Sequence, residues 1–396
     1  MSTPLERLKA REEAALFHTY GRYPLAVARA SGSRLWDQEG GEYIDLLSGL
    51  AVTSLGHCHP EVAEAVAEQA RTLVHVSNLF YQKEQVDLAE RILETCHCGK
   101  VFFCNSGAEA NEAAVKLARR YNRVVRETDA HQVITLEGSF HGRTLATAAA
   151  TGQEKIKQGF DPLPEGFLHV PTGDLEAMEQ AIGPQTAAVL VEVIQGEGGV
   201  NPLDGEYLRS VQELCRENGV LFMVDEIQTG LCRTGSFWAF QEYGLEPDVF
   251  TSAKAMANGL PMGACLATDE VARGFEPGSH ATTFGGGPLL SRAALTVLDV
   301  MRRDRLDKRA SDMGYRLKEN LRHVSENNPG AIEEVRGRGM MLGIVLAENG
   351  QSVWRRLLDE GFVCNLTQDR VLRLLPALTI DPADLDAFAE ALDTIL

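Results

Sequence analysis

Short apolar runs alternate along this chain with stretches in which hydrophobic residues recur every three or four positions. VFFC (101–104), QVITL (132–136), AAVLVEVI (187–194) and VLFMV (220–224) are runs of the first kind, rich in β-branched and aromatic residues. That composition belongs to strands buried on both faces. Between them lie helical patterns near 107–122 and 205–218. In the second of these, Leu208, Val211, Leu214 and Cys215 share one face, Asp204 precedes them as a cap and Gly219 follows as a stop. Strands alternating with helices predict a mainly parallel sheet covered by helices, an α/β fold. Towards the C-terminus the texture changes. Helical stretches around 289–323, an apolar strand GMMLGIVL (339–346), RVLRLLP (370–376) and a final helix from about 382 predict a smaller α+β unit. Neither a repeat nor a low-complexity linker separates the two.

Open parallel sheets take their ligands at the carboxyl ends of the strands, so the polar residues following each apolar run are the ones to collect. After VFFC comes Asn105-Ser-Gly-Ala-Glu-Ala110. Ser106 and Glu109 fit a helix capping box; equally, Ser106, Gly107 and Ala108 offer a hydroxyl and free N–H groups where a phosphate would bind. After QVITL comes the segment with Phe140 and Arg143, and after AAVLVEVI the glycine-rich loop carrying Glu197. VLFMV runs directly into Asp225 and Glu226. A lysine, Lys254, follows a further apolar stretch and precedes the loop AMANGLPMG. A phosphate cradle, a partly desolvated lysine and a carboxylate are the parts needed to hold pyridoxal 5′-phosphate. The lysine would form a Schiff base with the aldehyde, and Asp225 would keep the pyridine nitrogen protonated.

Composition excludes several classes. The chain has 396 residues, 44% of them hydrophobic, and a formal net charge of -18 with no basic run. Nucleic acid is therefore a poor partner. The N-terminus is charged throughout and no long uncharged apolar segment occurs, which points to the cytoplasm rather than a membrane. The eight cysteines are scattered, without the density of a disulfide framework. His57-Cys58-His59 and Cys96-His97-Cys98 look metal-like, yet no second pair completes a tetrahedral set, and no metal is expected.

The segments GEYIDLLSGLAVTSLGHCHP (41–60), HVSNLFY (75–81), FFCNSGAEANEAAVKLAR (102–119), FHGRTLATAAATG (140–152), VIQGEGGV (193–200), DEIQTG (225–230), PDVFTSAK (247–254), TTFGGGP (282–288) and VLRLLPALTI (371–380) resemble the class III, or ω-, aminotransferases, pyridoxal-phosphate enzymes of fold type I. The likeness runs along almost the whole chain. It implies an N-terminal segment (1–47) packing with the small domain, a large cofactor-binding domain (48–284) and a small C-terminal domain (285–396). Lys254 and Asp225 take the catalytic roles. Phe140 and Ile227 sandwich the ring, and Gln228 lies near its phenolic oxygen. Ser106, Gly107 and Ala108 hold the phosphate, joined by Thr283 of the other subunit of a homodimer. Glu192, expected within its strand, supports the cofactor site, while strand alternation turns Glu226 away towards local hydrogen bonds.

The same resemblance assigns the substrate. Arg143 and Thr282 serve its binding, with Arg143 on the carboxylate remote from the reacting amine, while Glu197 masks a second arginine, Arg373. An ω-amino donor such as N-acetylornithine places its one carboxylate on Arg143. Glutamate, with two, must free Arg373. The implied reaction moves the terminal amino group of N2-acetyl-L-ornithine to 2-oxoglutarate, a step of arginine biosynthesis. Donors such as ornithine, succinylornithine, succinyl-diaminopimelate and 4-aminobutyrate remain open. So does an aminomutase needing no acceptor, while the complete residue set argues against a catalytically silent binding protein. Cys232 and Gly287 depart from the family pattern, as does the loop after Lys254. Cys232 is expected near the pocket, and Tyr20, Arg22 and Tyr23 at its entrance.

Overall fold

The computed structural model describes residues 3–396. Its central sheet has seven strands in the order Lys100–Cys104, Gly263–Ala267, Val249–Ser252, Leu221–Asp225, Thr186–Val191, Gln132–Leu136 and Phe167–Val170. All run parallel except Gly263–Ala267, which is antiparallel to both neighbours. The sequence pattern missed that strand because GACLA is short and built from small residues. Its smallness has a purpose. A Cβ on Gly263 would lie 2.5 Å from the Ser106 carbonyl oxygen, so the glycine lets this strand pass beneath the segment that follows Cys104.

The middle strands are buried on both faces, as their unbroken apolar runs require. Val189, Leu190, Val191, Phe222, Met223, Val224, Val249 and Phe250 are all buried. Each such side chain contributes about 1.5–3 kcal/mol relative to exposure. Trp238 and Phe240 meet Phe250 edge-on, with ring centroids 4.8 and 5.0 Å away. Helix Gly107–Val124 covers one side of the sheet and helix Gly205–Glu217 covers the other, beside helix Leu175–Ala181; Asp204 caps helix Gly205–Glu217 through the N–H groups of Glu206 and Tyr207. One boundary differs from the sequence reading. The run AAVLVEVI leaves the sheet after Val191, so Glu192 lies just past the strand end rather than within it. Its carboxylate accepts the N–H groups of Phe140 at 2.9 Å and Gly196 at 3.3 Å, bonds that a continuing strand would not allow.

Beyond this sheet, the antiparallel strands Ile332–Arg338, Met341–Leu346, Val371–Leu374 and Asn365–Thr367 form a second layer. The strands Val27–Ser31, Arg34–Asp37 and Glu42–Asp45 form a third with Phe362–Val363, tying the N-terminal region to the C-terminal one. Helix Pro288–Arg303 packs on helices Pro60–Thr72 and Lys83–Leu93 and on the turn Lys254–Ala257. Among the described residues, no helix is long and apolar enough to cross a membrane.

Candidate active site

The carboxyl ends of the parallel strands converge on a cavity of about 430 Å³. Asp225, the last residue of its strand, forms the floor. Its Oδ2 accepts from Asn111 Nδ2 and His141 Nδ1, each at 2.8 Å, and its Oδ1 accepts from the Ile227 N–H at 3.1 Å. Asn111 is itself held by the Thr251 hydroxyl at 2.7 Å and donates to the His141 carbonyl. Because a carboxylate only accepts, Nδ1 is the protonated nitrogen of the His141 ring. Every member of this group is buried. Lys254 stands beside it, after Ser252 has ended the neighbouring strand, with φ +40 at the start of a short 3-10 turn. Burial holds its ammonium below the usual lysine range, while the nearby Glu197 carboxylate pulls the other way.

Ser106, Gly107 and Ala108 line the cavity at the start of helix Gly107–Val124. The two readings of this segment resolve in an unexpected way. The Ser106 hydroxyl accepts from the Glu109 N–H at 3.2 Å, but the Glu109 carboxylate turns to Asn105 instead of closing a capping box. The Ser106 N–H that a capping box would use is thus left free at the positive end of the helix, beside the cavity. Gly107 is required here: a Cβ would lie 2.8 Å from Ile227 Cδ1. Phe140 and Ile227 also line the cavity.

Gln228 and Glu197 complete the inner wall. Arg373, 1% exposed, donates from Nη1 to Glu197 Oε1 at 2.6 Å and approaches Gln228 Oε1 at 3.4 Å. Burial raises the Glu197 pKa, but the charge and hydrogen bond of Arg373 outweigh it and hold the carboxyl below its ordinary value. Arg143 is exposed at the cavity rim. It makes no hydrogen bond or ion pair to another described residue, and its guanidinium lies 5.6 Å from the Phe140 ring centroid. Thr282 and Thr283 do not reach the cavity within this chain. The Thr282 hydroxyl accepts from Asn105 Nδ2 at 3.2 Å, and Thr283 is exposed.

Other expectations fall elsewhere. Glu226 is buried on the opposite side of the strand end, accepting from the Thr229 hydroxyl and the Phe240 N–H, each at 2.7 Å, and burial pushes its pKa up to about 7. Cys232 does not line the active-site cavity; it is buried beside a separate one with Phe237 and Met301, and burial pushes its thiol up to about 12. Tyr20 and Arg22 are exposed, Arg22 paired with Glu12 at 2.8 Å. Tyr23 packs edge-on against Trp354 at 4.8 Å. Gly287 precedes helix Pro288–Arg303 as its N-cap. All eight cysteines are free, and among the described residues no group of three His, Cys, Asp or Glu is placed to hold a metal. His57 instead meets Asp45 at 2.6 Å and His97 meets the Pro247 carbonyl at 2.8 Å.

Three contributors escaped the sequence reading: Asn111, His141 and Asn365. Asn111 lies one residue beyond the quoted Asn105–Ala110 segment, on the inner face of a helix, where a buried amide at a helical apolar position is itself a signal. His141 was part of a matched segment without a role. Asn365 sits directly across from Arg373 in the antiparallel register, a pairing visible only once the hairpin is built.

The class III aminotransferase family pattern matches residues 17–396. The chain belongs to that family. Among relatives, an acetylornithine aminotransferase of Methanothermobacter thermautotrophicus is 44% identical over 391 residues, covering 99% of this chain and 98% of that protein. One from Methanocaldococcus jannaschii is 42% identical over 376 residues, covering 95% and 94%. Among solved structures, an ornithine aminotransferase of Toxoplasma gondii superposes with a TM-score of 0.96 at 32% identity, covering 100% of this chain and 95% of that one. An acetylornithine aminotransferase of Elizabethkingia anophelis gives 0.89 at 31% identity, covering 100% and 99%. Class III aminotransferases depend on pyridoxal 5′-phosphate, and the cavity fits it. A helix start with free N–H groups suits the phosphate, the space between Phe140 and Ile227 suits the ring, and the triply bonded Asp225 carboxylate suits the pyridine nitrogen.

Proposed function

We propose that this aminotransferase moves the terminal amino group of N2-acetyl-L-ornithine to 2-oxoglutarate, giving N-acetyl-L-glutamate 5-semialdehyde and L-glutamate. The observation that carries this reading is the buried Arg373 neutralised by a single carboxylate, Glu197, which lines the same cavity as an unpaired Arg143. One arginine is always ready for a carboxylate and the other is ready only when Glu197 leaves it. A donor with one carboxylate and a remote amine fits the first state. A dicarboxylate fits the second. The names of the similar proteins, identical at 42–45%, agree with that choice of donor.

Pyridoxal 5′-phosphate, when bound, supplies an aldehyde that carries the amino group and a ring that accepts electrons. The chain's own residues do the rest. Lys254 would hold the aldehyde between turnovers, and its Nζ, once freed by the substrate amine, would take the proton that leaves the substrate carbon and deliver it on the far side of the amino nitrogen. A pKa lowered by burial favours the neutral amine that this transfer needs. Asp225 would hold a proton at the pyridine nitrogen, and Asn111 and His141 keep its carboxylate aimed. Arg143 fixes the donor carboxylate, and Glu197 swings to admit the second carboxylate of glutamate or 2-oxoglutarate.

The same reading takes the enzyme as a cytoplasmic homodimer in which Thr283 of one subunit meets the phosphate site of the other. Leu79, Phe80, Tyr81 and Phe284 are exposed large hydrophobic residues, and Asn78 joins their two segments by donating to the carbonyls of Thr282 and Gly285. Such a patch beside a cavity marks a protein–protein surface. A panel of amino donors with 2-oxoglutarate tests the proposal. N-acetylornithine should give the highest kcat/KM, with glutamate formed only when acceptor is present. A higher value for ornithine or 4-aminobutyrate, or product without acceptor, would overturn it.

A further inference from the structure

Besides its long approach to Gln228, Arg373 has two close partners of different character, and only one of them has to leave. Glu197 holds Nη1 through a charged side chain that enters the cavity. On the other edge of the guanidinium, Asn365 Oδ1 accepts from Nε at 3.1 Å and from Nη2 at 2.8 Å. We infer that Asn365 is a positioning residue: it keeps the Arg373 guanidinium in place while Glu197 is away, so that the arriving dicarboxylate meets an already oriented cation. The inference rests on the two-state reading of Arg373 proposed above.

Three observations make Asn365 fixed where Glu197 is free. Its backbone pairs directly across from Arg373 in the antiparallel sheet, so donor and acceptor share one rigid register. Its other amide atom is occupied: Nδ2 donates to the Tyr23 hydroxyl at 3.1 Å, and Tyr23 packs on Trp354. With Nδ2 committed, Oδ1 is the atom left for the guanidinium, and the amide cannot turn over without placing a donor against a donor. Finally, apart from Arg373 itself, the same hairpin holds the other partner through its backbone. The Thr367 hydroxyl and Gln368 Nε2 donate to the Glu197 carbonyl at 3.2 and 2.9 Å, so the Glu197 side chain can swing on a tethered loop.

The chemistry of the residue matters as much as its place. A buried arginine short of acceptors is costly, so without Asn365 an Arg373 left with only the 3.4 Å contact to Gln228 would tend to follow Glu197 or collapse when the carboxylate moved. An aspartate at 365 would hold the guanidinium equally well but would neutralise it permanently. A neutral acceptor satisfies the N–H groups and leaves the charge for the substrate.

The test compares Asn365→Asp, Asn365→Ala and Arg373→Ala holoenzymes. Glutarate, a dicarboxylate without an amino group, is titrated calorimetrically, and single-turnover rates are measured with glutamate and with N-acetylornithine. Asn365→Asp should weaken glutarate binding and slow the glutamate half-reaction by ~10-fold or more, leaving the N-acetylornithine half-reaction within ~3-fold of the parent. Asn365→Ala should shift the same half-reaction in the same direction, and Tyr23→Phe, which frees the amide to turn, should do so more weakly. An equal loss in both half-reactions, or glutarate affinity unchanged in both Asn365 variants, would overturn the inference. If Arg373→Ala also leaves glutarate binding unchanged, the underlying reading of Arg373 fails as well; if only the Asn365 variants are silent, that reading survives and the positioning role alone is lost.

Discussion

The floor and the rim of the cavity are built on opposite plans. At the floor, Asp225, Asn111, His141 and Thr251 are buried and bonded to one another across three elements of the fold. At the rim, Arg143 is exposed and makes no hydrogen bond or ion pair to another described residue; away from the cavity lining, Thr283, Phe80, Tyr81 and Phe284 are exposed as well. The floor is finished within one polypeptide, whereas the rim carries a charged group that the described residues leave without a hydrogen-bond partner. In a water-poor network each polar atom acts with little reorganisation, so a change there is felt in the rate of the chemical step. A change at the solvated rim is felt in how tightly substrate is held.

The largest effect should follow from breaking the floor. Asp225→Asn preserves shape but removes the charge that His141 and Asn111 both donate to, and it turns an amide N–H towards one donor or towards the pyridine nitrogen. With cofactor still bound, the single-turnover rate with glutamate should fall by ~10²–10³-fold. A rate within a few-fold of the parent would show that the floor aligns the pocket without influencing its electronics.

Much of this contrast was legible before any coordinates. Every strand end that builds the floor followed a continuous apolar run, and buried parallel strands leave little doubt about which residues come next in space. That Lys254, Asp225 and Ser106–Ala108 share one cavity is therefore readable from local order together with family likeness. What stayed hidden depends on long-range contact. Arg233 is fully buried without a carboxylate, donating to the carbonyls of Met340 and Pro376 and to the Ser54 hydroxyl; burial lowers its pKa to about 9. In the sequence it was one more charged residue, because its three partners lie in three distant segments. The antiparallel strand Gly263–Ala267 was missed for the converse reason: its neighbours, rather than its own side chains, specify it.

A milder change at the rim sharpens the comparison. Arg143→Lys keeps the positive charge but gives up the planar fork that matches a carboxylate, and it disturbs no hydrogen bond or ion pair among the described residues. KM should rise by ~10-fold for donor and acceptor alike while kcat stays within ~3-fold of the parent, the pattern of an interaction made equally in ground and transition states. A fall in kcat of the size expected for Asp225→Asn would erase the distinction between rim and floor.

The smallest effect belongs to the carboxylate beside Asp225 in sequence, which the strand turns the other way. Burial raises the Glu226 pKa from an ordinary 4.5 to about 7. Between those two values the folded protein holds a proton that the unfolded chain has released, so this group's contribution to stability is complete below about 4.5 and is lost as pH rises through about 7. At about 1.4 kcal/mol per pKa unit, the loss is on the order of 3 kcal/mol. Glu226→Gln imitates the protonated form: Oε1 still accepts from Phe240 and Nε2 can donate to the Thr229 oxygen. Thermal unfolding of both proteins across this range should therefore give similar midpoints in acid and a growing advantage for the variant as pH rises, levelling above about 7. Turnover should be unchanged, since the side chain faces away from the cavity. A variant whose midpoint runs parallel to the parent at every pH would mean that Glu226 is ionised in the folded protein, and that this side of the strand end tolerates charge as the floor does.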